Sequence, residues 1–336
     1  MAENAESFTS NLSRSLNNKR KQEALDVVVA GLAVVDLIAK PVEFSNLPRK
    51  GGLRIIDSVT MTTGGNVCNF CIDLAKLGFS VGAITRVGED GLGNFISAQL
   101  RENRVNTEGI IVDKTRQTSA TVVAVGRDGE RSFLHTRGCL KNFRAGDVLD
   151  NLSLVRRGKI FAFGYYGLLP ECEKDMRRLF RTIKEEAATK ILVDTGGTPS
   201  SERTLLKQFL PFVDYFIPSY EEAVACTGRR SPESIVRYLF SAGAPGVVGV
   251  KLGSRGCYIA CGNDAAFIPA FKVRKVVDST GAGDAFVSGF LAATLRGFDP
   301  FAAARLGNAV AAESVTAVGA STAVRPLDHY ASRIMK

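Results

Sequence analysis

The chain has 336 residues, 45% of them hydrophobic, and a formal net charge of +9 from 43 Lys and Arg against 34 Asp and Glu. That is enough apolar material for one large core or two modest ones, and no run of about eighteen apolar residues is present to span a membrane. The basic residues are scattered over helix-like segments (Arg156-Arg157, Arg177-Arg178, Arg229-Arg230) without aromatic interleaving, which argues against nucleic acid and leaves the charge as a general attraction for anionic substrates.

Residues 1–24 are polar, with Glu3 and Glu6 early and no apolar stretch of the secretory type, and are read as a disordered tail. Within it, Lys19-Arg20-Lys21 either addresses a partner or is simply solvated. The seven cysteines are an odd number without secretory context, so free thiols in a reducing cytoplasm are expected. Asp26–Gly31 reads as a buried first strand, followed by strand-like alternation over residues 33–62. Gly65–Leu77 follows helical spacing, with Val67, Phe70, Leu74 and Leu77 on one face. Cys68 and Cys71 fall inside that helix, and Cys257 and Cys261 inside a strand pattern, so both pairs read as buried thiols rather than zinc half-sites.

Val81–Arg86, Ile160–Gly164, Ile191–Asp194, Tyr215–Ile217 and Val247–Lys251 are further strands, separated by helical stretches such as 171–187 and 232–241. Apolar strands alternating with helices predict parallel units in a doubly wound sheet with helices on both faces. Residues 117–137 break the rhythm: Thr121–Val125 and Ser132–His135 flank a turn at Asp128-Gly129, a hairpin that fits no such unit. With residues 33–62 it predicts a small sheet projecting from the main one. Gly283–Leu295 and Pro300–Val315 read as two closing helices, and the whole of 25–332 as one domain.

The chemistry concentrates at Val277-Asp278-Ser279-Thr280-Gly281-Ala282-Gly283-Asp284-Ala285-Phe286. Three small residues let backbone N–H groups approach an anion, and the positive end of the helix that follows favours negative charge there. An acid beside an anion cradle repels the anion unless it has a proton to remove as a phosphoryl group passes. Asp284 is therefore either a helix cap or the base of a kinase acting on an alcohol. Gly-x4-Gly-Lys-Ser/Thr, His-Arg-Asp with Asp-Phe-Gly, and the dinucleotide fingerprint are all absent, Phe286 standing where its third glycine would be. Only His135 and His329 are available, which gives little support to a Ser-His-Asp hydrolase.

This segment resembles the C-terminal signature Asp-Thr-x-Gly-Ala-Gly-Asp-x-Phe of the ribokinase-like (PfkB-type) carbohydrate kinases, with Ser279 where Thr is usual. A second likeness lies at Thr63-Gly64-Gly65-Asn66-Val67-Cys68-Asn69, and together they extend the resemblance from about Leu25 to Pro326. The resemblance implies transfer of the γ-phosphoryl of ATP to a sugar hydroxyl, with Asp284 as base and Gly281, Ala282 and Gly283 as anion hole. It implies that Asp36, Gly64, Gly65 and Asn69 hold the acceptor, and that Lys251, Gly253, Gly256 and Asn308 line the nucleotide. Glu222, in Pro218-Ser219-Tyr220-Glu221-Glu222-Ala223, would act on magnesium through water, with Ser219 where the family has Asn. Lys251 stands where a small hydroxyl residue is more common and is suited to a phosphate. Asp278 and Thr280, with carbonyls near Val318–Ala320, would build a potassium loop. The small sheet would be a lid over the sugar and a homodimer interface.

The acceptor is left open among ribose, fructose, a keto-deoxy acid sugar and, as the runner-up class, a nucleoside. The segment Phe161–Tyr166 lacks the acidic group associated with ribose-specific members. Tyr165 and Tyr166 either stack on a base or pack in the core, and Arg137 either pairs with an acid sugar or is solvated. A non-catalytic interaction protein keeping the fold would be marked by loss of Asp284 or of the Gly-Ala-Gly turn, both of which are intact.

Overall fold

The first strand, β1, spans Leu25–Ala30, and its continuous apolar run Val27–Ala30 is buried on both faces. Val27 and Val29 enter one core cluster while Val28 and Ala30 enter a second, as period-two side-chain alternation requires of a strand buried on both sides. The computed structural model describes residues 23–197 and 203–334; the expected polar tail lies, for residues 1–22, outside the described residues.

In chain order the strands and principal helices are β2 (Val34–Lys40), β3 (Ser58–Gly64), α1 (Gly65–Lys76), β4 (Val81–Gly88), α2 (Gly91–Glu102), β5 (Asn106–Asp113), β6 (Ala120–Val125), β7 (Arg131–Thr136), β8 (Gly158–Tyr166), β9 (Lys190–Thr195) and β10 (Tyr215–Phe216). They continue with α3 (Tyr220–Thr227), α4 (Pro232–Ser241), β11 (Val247–Lys251), β12 (Gly256–Cys261), β13 (Asp264–Pro269), α5 (Ala282–Leu295) and α6 (Pro300–Ser314). Nine strands make the main sheet in the order β13-β12-β11-β10-β9-β8-β1-β4-β5. The pairs from β11 through β5 are parallel and only the β11–β12 and β12–β13 pairs are antiparallel. Helices α1, α5 and α6 cover one face, and α4 with the helices around Met176–Phe209 covers the other. The doubly wound α/β architecture expected from the alternation is present.

Segments 33–62 and 117–137 meet in a separate four-stranded sheet, order β3-β2-β6-β7, in which only β2–β6 is parallel. The expected 171–187 helix is broken instead. Pro170–Glu173 and Met176–Thr182 are short helices, and Ile183–Ala187 is a π turn. Asp175 between them sits at φ −112°, and its N–H bonds three residues back to Cys172, a tightened turn that ends the first piece. Six of the seven free cysteines are buried, but Cys261, expected inside, is partly exposed at the end of β12.

Candidate active site

The chemistry-bearing residues gather at the carboxyl ends of the parallel strands, where open α/β sheets place their ligands. Tyr165 ends β8, Asp194 and Thr195 end β9, Ser219–Glu222 follow β10, and Lys251 ends β11. Asp284, in the first turn of α5, reaches the same point and is buried.

Gly281 makes this possible. It takes φ +74°, and a Cβ there would stand 2.3 Å from the Ala320 methyl, so the chain turns into α5 only with glycine at this position. The first-turn N–H groups of α5 lack carbonyl partners within the helix. Ala282 N–H meets Ser279 O at 3.3 Å. Gly65, with φ +83°, plays the same part at the start of α1, where a Cβ would press to 2.4 Å from Leu32 O. One turn on, Asn69 is buried and its Nδ2 donates to Asp284 Oδ2 at 2.6 Å.

A second donor to Asp284 is a residue whose part the sequence did not show. Tyr165 Oη donates to the same Oδ2 at 2.9 Å. The register of β8 against β9 slips between Phe163 and Tyr166, and Tyr165 adopts φ +61°. Such a bulge re-aims a side chain, here out of the sheet and onto the carboxylate. Tyr166 instead is buried and packs edge-on against Phe209. Burial pushes the Asp284 carboxyl up from its ordinary value, against the donors Asn69 and Tyr165 and the nearby Lys251 ammonium.

Lys251 Nζ lies 2.7 Å from Asp194 Oδ1, and a methyl added to Gly283 would stand 3.4 Å from that ammonium. The lysine therefore sits beside the Gly-Ala-Gly turn. Burial acts to discharge it, but the charges of Asp194, Glu222 and Asp284 hold it above the ordinary lysine value. With three carboxyls around one ammonium, burial pushes Asp194 up to about 7. Glu222 accepts from Ser219 N–H at 3.1 Å and from the Thr195 hydroxyl, closing a capping box on α3. Three carboxyls against one cation fit magnesium arriving with a nucleotide. Among the described residues no group of His, Cys, Asp and Glu side chains converges to hold a metal alone, so it would be shared with phosphates and water.

Three cavities adjoin here. One of about 370 Å³ under the small sheet is lined by Asp36, Gly64, Gly65, Asn69, Tyr165 and Gly281. A second, about 480 Å³, holds Asp194, Glu222, Lys251, Gly283 and Asp284, and Gly281 and Tyr165 line it as well. The third, about 530 Å³, continues from Lys251 and Gly253 past Gly256 to Phe271, Phe286 and Asn308. Asn308 Nδ2 donates to Ile268 O at 3.0 Å and Pro269 O at 3.1 Å, bracing the wall of that cavity. Asp36 faces the first cavity in a cross-strand row with Thr62, Thr121 and His135. Burial raises its carboxyl while the Thr121 hydroxyl bond draws it down.

Asp278 and Thr280 lie at the mouth of the first cavity but do not offer a cation their side-chain oxygens. Arg131 Nη2 donates to Asp278 Oδ1 at 2.8 Å and Nη1 to Thr280 Oγ1 at 2.5 Å. Thr280 N–H donates to the same Oδ1 at 2.9 Å and Gly319 N–H to Oδ2 at 3.0 Å. The residues present do not fit potassium in this arrangement.

A buried carboxylate between a glycine-rich helix start and a cavity of about 370 Å³ is the arrangement that phosphoryl transfer to an alcohol requires. The pfkB family carbohydrate kinase model matches residues 24–326, and the chain belongs to that family of carbohydrate kinases. It is 28% identical to the 2-dehydro-3-deoxygluconokinase of Bacillus subtilis (strain 168), over 80% of this chain and 85% of that protein. It is 29% identical to fructokinase-2 of Zea mays, over 73% and 75%. The fold matches Arabidopsis thaliana ribokinase complexed with ribose and ATP at a TM-score of 0.81 and 24% identity, covering 93% of this chain and 99% of that one.

Proposed function

We propose that the protein transfers the γ-phosphoryl of ATP to a primary hydroxyl of a sugar, with Asp284 as the base. The observation that carries this reading is the Asn69–Asp284 hydrogen bond. Asn69 lines the cavity under the small sheet and Asp284 the cavity with Lys251 and the Gly-Ala-Gly turn, so the pair marks the boundary that a phosphoryl group crosses. Asp36, Gly64, Gly65 and Asn69 orient the acceptor. Asp284 accepts the hydroxyl proton as the O–P bond forms, while the N–H groups of Gly281, Ala282 and Gly283 and the Lys251 ammonium meet the phosphoryl charge. Gly253, Gly256 and Asn308 border the adenosine. Glu222 would help hold magnesium arriving with the phosphates, and the ion would supply neutralisation of their charge.

A further cavity of about 520 Å³ shares Gly65, Thr121 and Tyr165 with the acceptor cavity and is lined by Arg137 and Lys141, by His135, which burial and Arg137 push toward its neutral form, and by Glu171. That surplus of basic groups favours an acceptor with a carboxylate at its far end, a keto-deoxy acid sugar rather than ribose. A nucleoside is less well served, since Tyr165 is tied to Asp284 and Tyr166 is buried. The small sheet serves as a lid that excludes water and as the contact with a second copy of the chain.

The test is ADP release with ATP and magnesium across neutral sugars, acid sugars and nucleosides. Acid sugars should give the highest kcat/KM. Asp284→Asn should lower turnover at least about a hundredfold while ATP still binds, because only the base is removed. Faster turnover of nucleosides, or an Asp284→Asn variant as active as the parent, would overturn the reading.

A further inference from the structure

Arg131 opens β7, the outer strand of the small sheet, 147 residues before the acid it contacts. Its guanidinium spans two side chains of the turn that leads into α5, Asp278 through Nη2 and Thr280 through Nη1. The Asp278 side chain is 6% exposed and that of Arg131 31%, so the carboxylate end of this ion pair is buried while its guanidinium still meets solvent. The carboxylate accepts from the N–H groups of Gly319, Thr280 and Arg131 and is drawn on by the Thr280 hydroxyl, and together these donors hold its pKa down to about 2 against the upward push of burial. An inorganic cation would need the lone pairs now facing Arg131 and would stand against the guanidinium charge.

We propose that Arg131 is a positioning residue that takes the place of a monovalent cation in this kinase. It supplies the single positive charge beside Asp278 and, with the second arm of its planar fork, pins Thr280, one residue before Gly281. The Gly281–Gly283 turn is thereby held in the shape that presents its N–H groups. Because Arg131 belongs to the small sheet and lines the acceptor cavity with Asp278 and Thr280, the anion hole is complete only while that sheet lies over the acceptor. Turnover is then linked to closure and needs no potassium. The inference rests on the phosphotransferase reading of Asp284, and it differs from the potassium loop that the family likeness implied.

The experiment uses the full chain and its Arg131→Met and Arg131→Lys variants, in potassium chloride and in choline chloride at equal ionic strength. Turnover of the parent, and its melting temperature with ATP and magnesium, should be the same in the two salts. Arg131→Met should lose about tenfold or more in kcat, the scale of a poorly presented anion-hole donor, with a smaller change in acceptor KM. Arg131→Lys should recover part of the loss. Potassium-specific activation or stabilisation of the parent would overturn the proposal. So would an Arg131→Met variant with unchanged kcat, or one whose only defect is acceptor KM, which would make Arg131 a substrate contact. If no acceptor turns over, the phosphotransferase reading fails, yet the ATP-induced melting shift still tests the substitution: equal shifts in both salts support it and a larger one in potassium refutes it.

Discussion

Tyr165 holds a backbone conformation, φ +61°, that L-residues with bulky side chains rarely adopt. A Cβ at Gly196 would lie 2.5 Å from its ring, so the neighbouring strand end has cleared a path for the phenol. The strain is spent on one hydrogen bond, to the carboxylate proposed as the base. Burial raises the Asp284 pKa, and the Tyr165 and Asn69 bonds favour its charged form. Tyr165→Phe removes one of them. Because the base works ionised, the acid limb of the kcat/KM profile should move to higher pH in the variant, and turnover at neutral pH should fall. Parent and variant profiles that superimpose would show that the phenol does not act on Asp284.

Helix α1 carries two polar residues one turn apart, and their fates differ. Asn69 finds Asp284, whereas Asp73 is fully buried and, among the described residues, neither carboxyl oxygen is met at ordinary hydrogen-bond geometry, Ser321 being near but misaligned. Burial pushes Asp73 well above the ordinary carboxylate value, and the Ser321 hydroxyl and Lys76 only partly oppose this. Its folded pKa exceeds the unfolded one, so the fold holds this proton more tightly than the unfolded chain does. Stability is therefore lost as pH rises from about the unfolded value toward the folded one. Asp73→Asn lacks that loss. Its gain in melting temperature over the parent should be small at pH 5 and larger at pH 8; an equal difference at both would mean that Asp73 does not titrate in the fold.

At the scale of the molecule, the small sheet has two unlike faces. Asp36, Thr121 and His135 look into the site, and the opposite face carries a cross-strand row of Met61, Leu37, Val122 and Leu134. Leu134 is 76% exposed, and Val59, also outward, is 66% exposed. Exposed apolar side chains of this kind, flanking a Leu37 that itself packs on the core, would suit contact with a second copy. Light scattering should give twice the 36.0 kDa of one chain, and Leu134→Lys should halve that mass. A parent that is monomeric at micromolar concentration would refute the dimer.

Local patterns carried most of the architecture. Unbroken apolar runs announced β1, β8, β9 and β11, and the Gly-Ala-Gly-Asp turn and the paired glycines before Asn69 marked two helix starts that do meet at one carboxylate. Such signals lie within a few residues of themselves, which is why they are legible in a sequence. The half-exposed β5 and the α2 helix carried weaker patterns and were not foreseen, and the 171–187 helix was expected whole. What only the tertiary structure decided are the pairings across long separations: Tyr165 with Asp284 over 119 residues, Arg131 with Asp278 over 147, and Lys251 with Asp194 over 57. A lone Tyr, Arg or Lys reads the same in solvent as in a site. Its role is set by which carboxylate the sheet order brings to it, and that order depends on the burial of the whole chain.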